Sequence, residues 1–503
     1  MEQQYHINLD SPILPFTSEP INMAWTIRDA LNGLLILGGI GSGKTTGPSR
    51  YIALQYLKNN FSGVVLCSKR EEVDMWKEYA RLTNRENDLC IVEPNGNEYF
   101  DMFGYLCKAN RPAGVTLTGN IVQVLKTVIE GSQERSGRAG DDSFWEGAMD
   151  LLITNCIELS LLHTGTITAQ QLYSLAMSAP QKGIVREDDN RKDSVTFILN
   201  DVNRRLSQKV EDFKKTLTTE QKEFYKIDPV EFEKAIFSIA PESETVKEVY
   251  NFFMDTYYNL SDKTRSIIHF LFVGFLQSFL KEPVKSLFCS GKTTFTPDDC
   301  LTGNKIIVLN IPTKIFQKAG RDVQTTFKLL FQLAMEQRDI KENGRIAFIF
   351  ADEAQEFILP TDTDFQATAR GLRVAVVYIS QNLPNFYACM GGLKSEFKVK
   401  AFLGTLSSKI FNANADIDTN RYASDLIGEA YIVDTNWSKT VSKTFSKTTS
   451  ESFRLERMVR PEGFVNLKTG GPLNQFIVQG YLHRQGTAFS NGTNFKLVSF
   501  SQQ

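Results

Sequence analysis

Residues 34–37 are all apolar, and they run directly into the glycine-rich segment Gly38–Thr46. This segment has the spacing of a Walker A phosphate-binding loop, set by Gly38, Gly43, Lys44 and Thr45. Glycines let the backbone N–H groups of such a loop point at phosphate oxygens without obstruction by a Cβ atom. The pattern therefore predicts a strand, a phosphate loop and a helix at about Ser49–Lys58, and with them a site for a nucleoside triphosphate.

The predicted nucleotide contacts are the residues of this loop: Gly38, Gly39, Gly41, Ser42, Gly43, Lys44, Thr45 and Thr46. Lys44 would place a positive charge beside the phosphates, and the Thr45 hydroxyl is suited to hold Mg²⁺. The segment around Asn304 and Lys305 lacks the aspartate that would read guanine. ATP is therefore the expected nucleotide.

A second apolar segment, residues 345–351, ends at two acids, Asp352 and Glu353. Strands of α/β sheets bind ligands at their carboxyl ends, so these acids are placed to complete the nucleotide site. Asp352 is the expected Mg²⁺ partner, as in a Walker B strand, and Glu353 is the expected general base for attack by water on the γ-phosphate.

The next predicted strand, Arg373–Ile379, is followed by Gln381, whose side chain is placed to sense the γ-phosphate. Arg370 and Arg373 lie on the turn into that strand. Either arginine could reach the nucleotide of a neighbouring subunit and offset charge in the transition state, as arginine fingers do. The alternative for both is an ordinary helix end at the surface.

The chain divides by pattern into three parts. Residues 1–114 alternate strands and helices, residues 115–290 show only helical spacing of apolar residues, and residues 291–503 return to strands and helices. Strand–helix alternation indicates a parallel sheet covered on both faces. We therefore predict an α/β nucleotide-binding domain, interrupted by an inserted all-α domain.

The composition is that of an ordinary globular protein, with 42% hydrophobic residues and a net charge of −2. A near-neutral chain can still bind DNA through a local basic lining. The seven cysteines form no C-x-x-C pair, which predicts reduced thiols in the cytoplasm. The most apolar stretch, Ile267–Leu280, is too short to span a bilayer and predicts a buried helix, so no membrane segment is expected.

The stretch Asn436–Ser452 is rich in serine, threonine and lysine, and it predicts a mobile loop. Lys439, Lys443 and Lys447 fall at every fourth residue of it. A solvated loop or ribbon is one interpretation, and a segment that faces DNA or a partner protein is the other.

Beyond the two nucleotide motifs, the sequence resembles the type IV coupling proteins of conjugative DNA transfer, the TraG/TraD branch of the FtsK–HerA ring translocases. The resemblance lies in Asp352–Phe357, in Ala369–Arg373 with Ile379–Leu383, and in Leu406–Gly428. Phe144–Ala148 resembles the entry to that family's all-α domain. Ser68-Lys69 and Phe100–Phe103 fall where the family has a strand-end lysine and an asparagine-proline-leucine block.

The resemblance implies a RecA-like P-loop NTPase domain and a homohexameric, ATP-dependent DNA translocase with ATP bound between subunits. It favours Arg370 over Arg373 as the finger, and it retains Gln381 as the sensor. Two departures from the family are the missing N-terminal transmembrane helices and the replacement of the acidic residue before Lys69 by Cys67-Ser68.

Three functions remain open on the sequence. The first is a coupling protein without a membrane anchor that feeds DNA to a conjugation channel, with a relaxase or channel protein as partner. The second is a cytosolic HerA-like translocase in DNA processing or phage defence, with a nuclease or effector partner. The third is a scaffold that binds ATP and hydrolyses little of it.

Overall fold

The computed structural model describes residues 7–16, 19–20, 23–110, 117–135, 143–182, 191–391, 395–441 and 445–502. They fall into two compact units. One contains residues 1–91, 297–312 and 331–503, and the other contains residues 92–296 and 313–330, within the described ranges. The domain limits at 114/115 and 290/291 stay a prediction.

Most strands of the described residues are short, and two of them have 13 residues each. They are β1 (Pro12–Leu14), β2 (Trp25–Thr26), β3 (Leu34–Leu37), β4 (Ser62–Leu66), β5 (Leu89–Val92), β6 (Ile306–Leu309), β7 (Ala347–Ala351), β8 (Val374–Ser380), β9 (Ser408–Asn412), β10 (Glu429–Val441), β11 (Phe445–Arg457), β12 (Ile477–Arg484) and β13 (Phe495–Ser501).

Nine of these strands form one sheet in the order β13-β12-β9-β3-β8-β7-β4-β6-β5. The pairs β9–β3, β3–β8, β8–β7, β7–β4 and β4–β6 are parallel, whereas β12 is antiparallel to both of its neighbours. Every residue of β3, β4, β6, β7, β8 and β9 is buried, as expected for parallel strands covered on both faces. The predicted α/β fold class is confirmed.

Helices make up most of the remaining described chain. They are α1 (Ile27–Leu31), α2 (Arg50–Lys58), α3 (Glu71–Leu82), α4 (Met102–Ala109), α5 (Thr118–Arg135), α6 (Ser143–Thr164), α7 (Ala169–Ser178), α8 (Val195–Thr216), α9 (Thr219–Ile227), α10 (Pro229–Ile239), α11 (Ser243–Asn251), α12 (Asp262–Phe279), α13 (Val284–Phe288), α14 (Asp299–Thr302), α15 (Thr313–Gln337), α16 (Asp362–Ala369), α17 (Leu383–Cys389), α18 (Ser395–Thr405), α19 (Ile417–Ile427) and α20 (Pro461–Val465).

The described residues between 118 and 288 form helices and no strand, as the helical spacing predicts. Aromatic rings contribute to the core of the unit that contains these helices: the ring of Phe279 lies 5.0 Å from that of Phe275 and 5.4 Å from that of Phe103 in α4, between centroids.

The segment 222–240, whose apolar residues at helical spacing predict a single helix, is not one element. It is divided into α9 and α10 because Pro229 lacks an N–H group, and Asp228 caps the new helix through the N–H groups of Val230 and Glu231.

Apolar residues at helical spacing over Thr325–Arg338 predict a helix there, and α15 contains it but begins earlier, at Thr313. Its first turns are interrupted at Gln317, whose φ of 45° and ψ of −124° are not helical. A start interrupted in this way has no continuous 3.6-residue apolar period, so the sequence pattern did not show it.

The mobile loop predicted at Asn436–Ser452 is wrong, whereas a ribbon, which the sequence also allowed, agrees with the structure. The described residues there belong to β10 and β11, which pair in register from Glu429 opposite Arg457 to Val441 opposite Phe445. Threonine, valine and aromatic residues between the serines and lysines favour extended backbone, and they outweigh the turn-forming signal. Lys443 lies outside the described residues.

None of the helices in the described ranges has the length and apolar character needed to cross a membrane.

Candidate nucleotide site

The phosphate loop leaves the carboxyl end of β3 and is tied to the neighbouring strands by its backbone. The N–H of Gly38 donates to the carbonyl of Ser380 at 3.3 Å, and that of Gly39 donates to the carbonyl of Ala413 at 2.8 Å. Gly41 and Gly43 have φ values of 72° and 78°, in the left-handed region that favours glycine. The loop is therefore a fixed cradle and not a loose turn.

The helix after the loop begins earlier than the predicted Ser49. A turn of π-helix spans Thr45–Ser49, and α2 follows at Arg50. Pro48 explains the wide turn: it has no N–H to donate to the carbonyl of Lys44, and the N–H of Ser49 donates there at 3.0 Å. The amino end of the helix thus lies within the phosphate loop itself, where its dipole favours an anion.

Two buried side chains of the loop are suited to phosphate. Lys44 is 8% exposed and Ser42 is 2% exposed. The Ser42 hydroxyl has no hydrogen-bond partner among the described residues, and a buried polar atom in that state is costly. Phosphate oxygens would satisfy that hydroxyl and balance the lysine charge.

The end of β7 brings the first acid to the loop. The Thr45 hydroxyl donates to Oδ2 of Asp352 at 3.0 Å. A hydroxyl and a carboxylate at this distance are the oxygen ligands that Mg²⁺ takes beside nucleotide phosphates. The structure thus brings together the two residues that were each predicted to hold Mg²⁺, and their oxygen atoms fit the metal.

Glu353 is held by three side chains that donate to its carboxylate. Gln355 donates to Oε2 at 2.9 Å, Gln381 to Oε1 at 3.1 Å, and the Lys69 ammonium lies 3.3 Å from Oε1. The Ser380 hydroxyl in turn donates to the amide oxygen of Gln355 at 2.7 Å. Glu353 itself has left-handed backbone angles, φ 51° and ψ 47°, so its position is set by the surrounding contacts.

The charge state of Glu353 follows from these contacts. Burial alone would raise the pKa of its carboxyl, but the hydrogen bonds from Gln355 and Gln381 and the charges of Lys44 and Lys69 outweigh it and hold the pKa below its usual value. The side chain is therefore a carboxylate near pH 7, the form that accepts a proton.

A buried acid also supports the turn after β4. One carboxylate oxygen of Glu72 accepts from the backbone N–H groups of Ser68, at 3.2 Å, and Lys69, at 2.9 Å. Burial and the nearby Asp352 raise the pKa of Glu72 well above its usual value. The turn therefore has an acid even though Cys67-Ser68 replaces the one expected before Lys69.

The two candidate arginines differ in their contacts. Arg373 has a left-handed φ of 51°, and its guanidinium donates to the carbonyl of Gly344 at 2.7 Å. Arg370 ends α16 with an exposed side chain that makes no hydrogen bond or ion pair within the described chain. The Arg373 guanidinium is thus occupied by a contact within the chain, whereas the Arg370 guanidinium is available to contact another molecule.

The site forms an open cleft of about 350 Å³. Besides residues 40–46, its walls are formed by Lys69, Glu353, Gln381, Thr469 and Gln502. Sequence patterns gave no role to Gln355, Thr469 or Gln502. Gln355 lies two residues after the predicted base, so its contact with Glu353 could have been predicted from the sequence. Gln502 lies 456 residues after its contact Thr46, and no local pattern connects the two.

The family model described as the TraM recognition site of TraD and TraG matches residues 347–468. No curated protein matches the sequence. Among solved structures, the chain is similar to the unbound monoclinic form of the bacterial conjugative coupling protein TrwBdeltaN70, with a TM-score of 0.59 and 14% identity over 94% of this chain and 86% of that one.

Nucleotide complexes of the plasmid coupling protein TrwB are similar to the same degree. The complex with the ATP analogue ADPNP has a TM-score of 0.59 and 14% identity, over 95% of this chain and 87% of that one. The complex with ADP and Mg²⁺ has a TM-score of 0.57 and 14% identity, over 95% and 86%. At these identities the likeness shows a shared fold.

Proposed function

We propose that this chain, which is related to the type IV coupling proteins by its fold and by residues 347–468, is an ATP-driven motor that moves DNA. The observation that carries the proposal is the meeting of the phosphate loop with Asp352, Glu353 and Gln381 in one cleft. These residues come from three separate strand ends of a coupling-protein fold, as an ATPase site requires.

ATP and Mg²⁺ are the proposed ligands, and TrwB is solved with an ATP analogue and with ADP and Mg²⁺. The backbone of residues 38–46 and the Lys44 ammonium would hold the phosphates, while Thr45 and Asp352 would hold the metal. Bound there, Mg²⁺ would neutralise negative charge on the phosphate oxygens.

Glu353 is the proposed base, but three donors contact its carboxylate in this state, two of them at Oε1. Lys69 and Gln381 both contact Oε1, so one of them has to leave before that oxygen accepts a proton from water. A γ-phosphate would attract the ammonium of Lys69 and the amide of Gln381. We infer that triphosphate binding frees the base in this way, with Gln381 as the sensor.

Arg370 is the proposed finger, acting in trans on the nucleotide of the next subunit of a homohexamer. Its exposed, uncommitted guanidinium supports this role. A subunit alone would then bind ATP and hydrolyse it slowly, because the charge that develops in the transition state would lack its partner.

Partner proteins are proposed for the ribbon formed by β10 and β11. Near its base, Tyr431, Val433, Phe453 and Leu455 are 74%, 48%, 71% and 52% exposed, and the register pairs Tyr431 with Leu455 and Val433 with Phe453. Exposed apolar clusters of this kind mark interaction sites. The ribbon lies within the segment that the TraM-recognition model matches, so we propose that it contacts an accessory protein such as a relaxase or a channel component.

A scaffold that binds ATP without appreciable turnover is the second candidate. It is favoured by the three donors that occupy the Glu353 carboxylate, because a base held permanently in that way would be inactive. Turnover measurements decide between the two functions.

DNA binding is expected to be strong at low salt and independent of sequence. A motor grips the phosphate backbone, and each neutralised phosphate releases counterions, so affinity should fall by roughly 10³-fold between about 50 and 200 mM salt if several phosphates are contacted. Fluorescence anisotropy with labelled single- and double-stranded oligonucleotides and an ATP analogue measures this. An oligonucleotide of scrambled sequence is the matched control and should bind equally well. An assembled oligomer that binds neither DNA form at low salt would exclude the motor.

A further inference from the structure

We propose that Gln502, the residue directly after the last strand β13, contributes to the nucleotide site: it positions the Thr46 hydroxyl so that the hydroxyl donates to a phosphate oxygen. Gln502 would be a positioning residue, because it acts through Thr46. The inference rests on the proposed function, since it assumes that the phosphate loop binds nucleotide.

The outer side of the phosphate loop is packed against the last part of the chain. A Cβ atom at Gly43 would lie 2.5 Å from Val478 and 2.9 Å from the carbonyl oxygen of Thr469, and one at Gly47 would lie 2.8 Å from Val478. Real Cβ atoms do not approach so closely. The loop is therefore packed closely against Val478 of β12 and the backbone of Thr469, with no room for a side chain at Gly43 or Gly47.

Gln502 joins that segment to the loop through both ends of its amide. Its Nε2 donates to the Thr46 hydroxyl at 2.5 Å, and its Oε1 accepts from the N–H of Gly471 at 2.8 Å. Its backbone N–H donates to the carbonyl of Phe476 at 2.9 Å. Gly470 has a φ of 86° and no room for a side chain, because a Cβ atom there would meet the Gln502 amide at 2.3 Å.

This contact fixes the direction of the Thr46 hydroxyl. A threonine hydroxyl has one proton and two acceptor lone pairs, and an amide N–H₂ can only donate to it. With one lone pair filled by Gln502, the proton remains available. Its other contact is a long one, 3.5 Å to the carbonyl of Gly43, which an anion would readily displace. The hydroxyl is thus prepared to donate to a phosphate oxygen at the cleft wall that Thr46 and Gln502 share.

A purely structural role for Gln502 predicts something different. The amide would then only fasten the edge strand β13, and its loss would lower stability without a specific effect on nucleotide. A double-mutant cycle separates the two roles, because residues that act through one another give non-additive losses.

The test measures the dissociation constant of a fluorescent ADP analogue with Mg²⁺ for four proteins: wild type, Gln502→Met, Thr46→Val and the double variant. Gln502→Met should bind the analogue roughly three- to tenfold more weakly. A loss of this size corresponds to about one hydrogen bond, because the Thr46 hydroxyl would no longer be oriented as a donor. The double variant should bind no more weakly than Thr46→Val alone. Gln479→Met is the matched control, because Gln479 accepts from Lys468 on the same segment without touching the loop, and it should bind like wild type.

Gln502→Glu provides a second variant if the methionine protein is unstable. Its carboxylate can still accept from Gly471, but it cannot donate to Thr46 and it adds negative charge beside the phosphates. We expect a larger loss of affinity, partly relieved by salt. Wild-type affinity in both Gln502 variants, or losses that add in the cycle, would overturn the inference. If the wild-type protein itself binds no nucleotide, the proposed function fails instead.

Discussion

Glu353→Gln is expected to bind ATP and to stop hydrolysing it, with kcat lower by roughly 10²- to 10⁴-fold, the usual contribution of a general base. The amide cannot accept the proton of the attacking water, while the contacts proposed for Thr45 and Asp352 with the metal and for Lys44 with the phosphates would remain. The measurements are steady-state phosphate release and the retention of labelled ATP on the protein.

Two variants serve as controls for this result. Glu356→Gln changes the same kind of side chain three residues further along and should keep nearly the wild-type kcat. Lys44→Ala should lose nucleotide binding altogether, because backbone N–H groups alone do not neutralise the phosphate charge. Hydrolysis at the wild-type rate by Glu353→Gln would show that another group is the base.

Arg370→Ala is expected to leave the ATP affinity of an isolated subunit nearly unchanged and to lower kcat of the assembly by roughly 10³-fold or more, as for an arginine finger. The reason is that Arg370 is exposed and makes no side-chain hydrogen bond or ion pair within the described chain, whereas the Arg373 guanidinium donates to the carbonyl of Gly344. Arg373→Ala is therefore a contrasting variant, expected to lower the melting temperature by loosening the turn before β8.

Mixing subunits tests whether Arg370 acts in trans. Assemblies of Arg370→Ala with Lys44→Ala should regain part of the activity, because some interfaces then contain an intact phosphate loop from one variant and an intact arginine from the other. With mixed assembly confirmed by mass, the complete absence of rescue would count against a site between subunits.

The central part of the fold could be predicted because it depends on local patterns. The phosphate loop directly follows the apolar strand β3, and the two acids directly follow the apolar strand β7. Each motif can therefore be recognised from residues that are neighbours in the sequence. The strands predicted at residues 345–351 and Arg373–Ile379 came within two residues of the observed Ala347–Ala351 and Val374–Ser380.

Contacts between distant segments could not be predicted in the same way. Sequence patterns do not show that Gln502 reaches Thr46, or that Lys69 reaches Glu353, because each contact depends on how sheet strands are ordered. The ribbon of β10 and β11 was missed for another reason: its serines and lysines are common in loops, and its strands pair mainly with each other. The wide helical turn at Pro48 was also missed, because it depends on a single missing N–H group.

The rate of ATP hydrolysis with and without DNA tests the central claim most directly. We predict that the assembled wild-type protein hydrolyses ATP slowly without DNA and several-fold faster with saturating DNA of arbitrary sequence. The variants Lys44→Ala and Glu353→Gln should lack both the basal and the DNA-stimulated hydrolysis. DNA that binds without changing the hydrolysis rate, or an assembled protein that binds ATP and does not turn it over under either condition, would contradict the motor and leave the nucleotide-binding scaffold as the function of this fold.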